Sequence, residues 1–532
     1  MMRRWIAGAM ACALIAAAPA GVAAESLTVA ASDAARPSLI KLTEGVVSGT
    51  SVVKSFEHDA YLTIGEGDEY GVQNGVLAFR GGPLRQNAAV GQAQITESGL
   101  HIVWETKTGT LERTYTGFDW TAQPLIVKWH KEIREMMNLN AEKKAKVGLK
   151  EVIYPSMDGK IYFLDLDDGK ETREAIQVGY PLKGTGAVDP RGWPILYTGQ
   201  GISKLSSGTG KIGLRMFNLI TGEEMYLENG RNKGAYITNG AVDGSALVLA
   251  DNDTLVFGGE NGLLYTVKLN TSFGFAESYD LNDTSLTISP ETLAYRYQSN
   301  LKGDQGMEGS VAIYGPYAFV GDNLGVLQCV NLNTLSCEWA LNVEDNTDAT
   351  VALERSGADT LALYTANTLK KRTADGDVTM RRVNALTGEI EWERKVACSY
   401  NKTDIAGAMA SPIIGEETIN DLVIFTINRA NENGAVMYAL DKQTGEEVWT
   451  CALGASSWSS PVAMYTSSGD CYIAQAAADG SLRLIEGVSG TVLCKLELGE
   501  EIVASPAVYS SEDGTMLVIG TAEGTIFGID VY

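Results

Sequence analysis

Acid–base or nucleophilic chemistry has few side chains to draw on in this chain. Its three histidines, His58, His101 and His130, form no HExxH pair and none lies near a GxSxG turn. The usual parts of a zinc or serine hydrolase are therefore missing. Gly208-Thr209-Gly210-Lys211 lacks the first glycine of a phosphate loop and the Ser or Thr after its lysine, and reads as a hairpin turn. Asp165-Leu166-Asp167-Asp168-Gly169 has the look of a calcium loop, but Ile176 stands where an EF-hand requires Glu, so a turn is expected here as well. Asp345, Asn346 and Asp348 could share a cation.

Cysteine chemistry is equally sparse. After Cys12 come Cys329, Cys337, Cys398, Cys451, Cys471 and Cys494, with no CxxC among them, which removes zinc ribbons and thioredoxin-like redox motifs. Cys329 and Cys337 flank the turn Asn331-Leu332-Asn333-Thr334 and could form a disulfide across a hairpin; buried free thiols are the alternative.

The N-terminus has the pattern of a secretory signal: Arg3 and Arg4, an uncharged run from Trp5 to Ala18, then Pro19, Gly21 and Val22-Ala23-Ala24 before Glu25. Cleavage after Ala24 is expected, with an uncleaved anchor as the alternative. Removing residues 1–24 takes two arginines and no acid, so the net charge moves from −24 to −26. Such a chain repels phosphate backbones and anionic lipid, which argues against nucleic-acid or membrane-surface partners. Residues 25–70, rich in Ala, Ser and Thr, read as a linker or loosely ordered segment. Residues 129–148 are a helix-like insertion carrying Lys131, Arg134, Lys143, Lys144 and Lys146, read as a solvated excursion or a docking site for an acidic partner.

A repeat organises the remainder, residues 71–532. The segment from Gly434 to Trp449 reads strand, tight turn, strand: alternating apolar residues, Asp441, Thr444-Gly445 at the turn, then a strand ending in Trp449. The pattern returns around Gly388 with Trp392, around Asn331 with Trp339, and around Gly222; looser copies sit at Asp165, Lys268, Glu486 and Asp530. Upstream of each lie two more strands, the first opening on a small polar residue, as in Ser411-Pro412, Ser460-Pro461 and Ser505-Pro506. A unit of roughly 45–55 residues with four short strands is the size of a propeller blade. The last unit stops after three strands, and His101-Ile102-Val103-Trp104 is a spare strand near the start. The chain is thus expected to be all-β: an eight-bladed propeller of four-stranded antiparallel blades, closed by an N-terminal strand completing the last blade.

These motifs resemble the PQQ-like propeller repeat, found in quinoprotein dehydrogenases and in non-catalytic relatives such as the outer-membrane assembly factor BamB. The resemblance implies that Trp339, Trp392 and Trp449, with Gly388 and Gly445, dock one blade on the next. Phe79-Arg80-Gly81-Gly82, Arg85-Gln86-Asn87 and Trp120-Thr121-Ala122-Gln123-Pro124 further resemble the N-terminal portion of bacterial propellers of this type. It also brings in an alternative function, a PQQ-dependent dehydrogenase with calcium and PQQ in the central funnel. Those enzymes typically carry adjacent bonded cysteines and a Glu/Asn/Asp calcium set, neither of which is found here.

A binding face is the other possibility. The residues opening the eight innermost strands are Gln123, Thr185, Ser245, Ser310, Thr350, Ser411, Ser460 and Ser505, all polar and uncharged. Two positions earlier stand Thr121, Lys183, Asp243, Glu308, Asp348, Met409, Trp458 and Val503. Either the polar ring only satisfies backbone and water, or this rim contacts a ligand through Gln123, Asp243, Ser245, Glu308, Ser310, Asp348, Trp458, Ser459 and Ser460. The expectation is an exported, monomeric, non-enzymatic binding or assembly scaffold of the bacterial cell envelope or exterior, recognising its ligand through the propeller face. It would take a protein, peptide or cell-wall glycan, use no cofactor or metal, and have no membrane span after signal cleavage.

Overall fold

Short runs of β-branched and aromatic residues, cut by Gly-containing turns, fold into hairpins that pair in sequence order. The computed structural model describes residues 28–64, 70–357, 359–431 and 434–532; the expected signal peptide lies outside them. Eight antiparallel sheets of four to six strands form an eight-bladed β-propeller. Within a blade, strands A to D run outward from the axis, so D-to-A and B-to-C connections share one face and A-to-B and C-to-D turns share the other. Among the described residues no helix is long and apolar enough to cross a membrane.

Blade contacts explain the recurring Trp and Gly. The indole N–H groups of Trp339, Trp392 and Trp449 donate to the carbonyls of Ala385, Lys442 and Gly487 on the next blade, at 2.8, 2.9 and 3.1 Å. Each ring lies on a turn glycine, and a Cβ on Gly445 or Gly490 would come within 2.7 or 2.4 Å of it. Those glycines also have φ near +70°, so a side chain is excluded twice. Trp104 makes the same contact, donating to Leu166 at 2.8 Å over Gly169. It stands on Leu100–Lys107, the outermost strand of the sheet that holds the C-terminal strand Thr525–Val531. Trp449→Phe keeps most of the packing and orphans the Gly487 carbonyl. We expect a loss of about 1–2 kcal/mol in urea unfolding, and an unchanged midpoint would refute the docking role of the N–H.

Two expectations need correction. Residues 25–70 are not simply a linker, since Thr43–Ser48 pairs with Glu291–Gln298 as a fifth strand of blade 3 and Ser51–Val53 adds a sixth. The arm also joins blade 4 through Ala35 and Asn333, and blade 5 through Ala30 and Ser32. Composition misled because its partners lie over two hundred residues away. Nor are Cys329 and Cys337 bonded: all six cysteines from Cys329 onward are free. The hairpin register, Asn331 opposite Ser336, sets Cys337 opposite Val330, so Cys329 and Cys337 point to opposite faces and pack in different hydrophobic clusters.

The channel is filled by the chain itself. Asn74–Val76 pairs antiparallel inside the A strand of blade 1, and Ala89–Val90 pairs parallel inside the A strand of blade 8. The segment therefore enters and leaves by the A-to-B face, crossing the axis between. On its way it bonds blade after blade: Leu77 to Val188, Phe79 to Ser245, Pro83 to Ile313, Leu84 to Leu353, and Ala88 to Val508. Arg80 and Arg85 are buried at its centre. The Arg80 guanidinium donates to the carbonyls of Pro412, Gln86 and Pro461, and that of Arg85 to Val311, Phe79 and Ser245. Both residues and Gly81 have positive φ, and a Cβ at Gly81 would lie 2.5 Å from the Asn87 carbonyl oxygen. This plug gives the opposite face a floor.

Candidate functional site

The polar openers of the A strands form the collar of that floor. The Ser245 amide donates to Ser310 Oγ at 2.9 Å, the Ser310 amide to Thr350 Oγ1 at 2.8 Å, the Ser411 amide to Ser460 Oγ at 3.0 Å, and the Ser460 amide to Ser505 Oγ at 2.9 Å. Gln123 donates its amide to Thr185 Oγ1 and accepts the Arg80 amide on its side chain. Each hydroxyl here closes a backbone group on the neighbouring blade, where no strand partner reaches. Gln123, Ser245, Ser310 and Ser460, expected at the rim as ligand contacts, are thus engaged in blade-to-blade and plug bonding.

Above the collar, the residues two positions earlier line a cup. The structure brings Asp243, Glu308 and Asp348 together with Lys183 and with Asp119, Glu260 and Lys370, which the sequence reading did not single out. The Lys183 ammonium meets Asp243 at 2.5 Å and lies 5.9 Å from the centre of the Trp120 ring. The Lys370 ammonium stands 3.3 Å from Glu308 and 3.6 Å from Asp348. Asn323 donates to Glu308 at 2.8 Å, and Asn239 donates to Glu260. Glu260, Asn323 and Lys370 come from B-to-C connections, so aligning those turns as well as the A strands was the signal that could have found them.

Five carboxylates share two ammonium groups, and their proton affinities show it. Burial pushes Asp348 up to about 7, with the Glu308 charge adding to it. Burial pushes Glu260 up to about 9, helped by Asp243 and Glu308. Asp119 is raised by burial, against the pull of Lys183. For Glu308 burial acts upward too, but Lys370 and Lys183 outweigh it and hold the carboxyl below its ordinary value. Among the described residues, neither Asp348 oxygen nor Asp243 Oδ1 accepts a hydrogen bond of good geometry; Asn346 stands beside Asp348, and the raised Glu260 carboxyl beside Asp243.

Asp348 binds its proton more tightly folded than unfolded, so its contribution to stability falls as pH rises from about 4 to about 7. Asp348→Asn removes that slope. Its urea midpoint should gain on the parent's between those limits, and parallel profiles would refute the buried, uncompensated carboxylate. Asp345 does not join Asp348 on a cation, because its oxygens accept the backbone amides of Asn346, Lys371 and Arg372.

Trp458 and Ser459 lie on blade 7, across the axis from blade 3. Trp458 is half-buried, and its indole N–H and the Ser459 hydroxyl lack hydrogen-bond partners among the described residues. In this Trp458 differs from the four docking tryptophans, whose N–H groups are all bonded across blades.

No protein-family model and no curated protein matches the chain. Solved structures do. A quinohemoprotein alcohol dehydrogenase from Pseudomonas putida aligns with a TM-score of 0.55 at 12% identity, covering 86% of this chain and 80% of its own. A europium-containing methanol dehydrogenase aligns at 0.43 and 11% identity, covering 86% and 98%. BamB from Moraxella catarrhalis aligns at 0.35 and 11% identity, covering 81% and 97%. The likeness is one of fold.

The carboxylates of the cup do not suit the calcium that the dehydrogenase alternative would bring. A calcium site gathers several oxygens on one point; here Lys183 and Lys370 stand between the carboxylates. Among the described residues no three Asp, Glu, His or Cys side chains converge on a metal position.

The insertion over residues 129–148 forms two short helices, Lys131–Met136 and Ala141–Ala145. Its charge is largely spent inward. Lys143 pairs with Asp165 and Asp168 at 2.7 and 2.9 Å, and Lys146 with Asp165 and Asp167 at 2.6 and 2.7 Å. The calcium-like turn and the basic insertion neutralise each other. A further concavity of about 600 Å³ lies between the arm and blades 2 and 3, lined by His58, Tyr226, Glu228 and Lys268. Its buried Glu228 already accepts from Thr292.

Proposed function

We propose that this chain is an exported, non-enzymatic binding scaffold of the PQQ-like repeat type, which holds a protein, peptide or glycan in the cup. The observation carrying this reading is the plug: it turns the axial channel into a blind cup whose buried polar atoms await partners. The lysines paired with the carboxylates support a binding role. The signal-like N-terminal sequence favours an envelope or extracellular setting.

The test is in-cell photo-crosslinking from position 503 on the same rim, read beside the melting temperature of Trp458→Ala and Glu308→Gln. Capture of one defined partner, lost in both variants at unchanged melting temperature, is the expected result. Capture that persists in both variants, or no crosslink above that from an exposed position on the opposite face, overturns the cup as the binding site.

A further inference from the structure

The cup's chemistry narrows what it holds. Asp348 is fully buried, yet its nearest cation, Lys370, is 3.6 Å away and shared with Glu308. Asp243 uses one oxygen on Lys183 and has only the raised Glu260 carboxyl beside it, no second cationic donor, among the described residues. Buried carboxylates in folded proteins are ordinarily given donors for both oxygens. What is missing here is a set of N–H donors carrying positive charge, the complement of an ammonium or a guanidinium group.

We propose, resting on the cup as the binding site, that it takes a lysine or arginine side chain of a basic peptide, seated against Asp348 and Asp243. An acidic ligand meets the surplus of carboxylates and is repelled. A neutral glycan brings hydroxyl donors but leaves the charge uncompensated in a site already dry enough to raise Asp348 and Glu260. A small free amine satisfies one side of the cup only. Across the axis, Trp458 offers an unpartnered indole N–H and Ser459 a hydroxyl. A peptide supplies both halves of the match: a cationic side chain for blades 3 to 5 and a backbone carbonyl for blade 7.

Binding also draws protons off the cup. The groups facing Asp348 are Glu308, Lys370, Lys183 and Asn346. A cation arriving among them favours the ionised carboxylate, so ligand uptake at neutral pH releases protons.

The experiment is calorimetry on the full mature protein with three probes: a capped trilysine peptide, the same peptide acetylated on its three ammonium groups, and chitotriose. Trilysine should bind, its acetylated form at least about tenfold more weakly, and proton release should appear as a dependence of the heat on buffer ionisation. Asp348→Asn should weaken trilysine about tenfold and abolish most of that release. Glu389→Gln and Glu446→Gln, on the far face, should change neither, which separates the cup from general attraction to an acidic protein. No binding of trilysine, equal binding of the acetylated peptide, or equal losses in the far-face variants overturns the inference. Chitotriose binding that Trp458→Ala abolishes, with trilysine inert, sinks the cationic ligand and leaves the cup standing. Binding of every probe unaffected by Asp348→Asn and Trp458→Ala sinks both.

Discussion

A chain ending at Gly524 should aggregate instead of melting cooperatively. The eight residues it lacks include Thr525–Val531, the C strand of blade 8, which pairs with Gly514–Gly520 on one side and Leu100–Lys107 on the other. Ile526, Phe527, Ile529 and Val531 are buried there. At about 1.5–3 kcal/mol each, their loss is of the order of 6–12 kcal/mol, comparable with the whole stability of an ordinary domain. Two strand edges are exposed as well, a template for association between chains. The damage then spreads to blade 1, because Leu100–Lys107 carries Trp104, and Trp104 seals blade 8 to blade 1 through Leu166 and Gly169. Light scattering and calorimetry on the truncated chain decide the matter. A soluble monomer that melts in one transition near the parent's temperature would show that this strand does not hold the ring.

The blades were legible because the Thr-Gly turn and the Trp are local: the residues that make the contact also write the repeat. The eight polar openers were legible as a set, yet their role was not, since hydrogen bonds from blade to blade leave no periodic trace beyond the residue type itself. Asp243, Glu308 and Asp348 could be placed by alignment on the A strands. Asp119, Glu260 and Lys370 lie outside those strands, and reaching Glu260 and Lys370 takes a second alignment, on the B-to-C turns. The register of the hairpin defeated the disulfide reading: Cys337 opposes Val330, and a one-residue offset puts it on the other face of the sheet from Cys329. Least legible was the plug. Phe79-Arg80-Gly81-Gly82 and Arg85-Gln86-Asn87 stood out by resemblance, but nothing local says that two arginines are to sit on the axis. Their acceptors are carbonyls, which every residue has, drawn from across the ring.

Those arginines make the second large prediction. Burial pushes Arg80 down to about 9 and Arg85 down to about 10, which leaves both charged at neutral pH. Among the described residues no carboxylate pairs with them; their guanidinium groups are held by six carbonyls between them. Arg85→Ala strands three buried acceptors, at roughly 1–3 kcal/mol each, so a loss of about 3 kcal/mol or more is expected, and a comparable loss for Arg80→Ala. Arg85→Lys should recover little, because one ammonium on a flexible stem cannot reach three carbonyls set around a planar fork. The two sites share one segment, so their costs should not add: once the first arginine frees the plug, the second has less left to hold. Protease sensitivity within residues 74–95 should rise in step with the fall in the urea midpoint. If Arg85→Ala unfolds at the parent's midpoint and the segment stays protected, the plug is held by its backbone pairing with blades 1 and 8. If instead the midpoint falls and Arg85→Lys restores it, charge alone matters and the fork geometry does not. A cup variant such as Trp458→Ala should leave the midpoint and the protection untouched. The floor and the site above it would then be separable, the first specified by guanidinium geometry and the second by the carboxylates of blades 3 to 5.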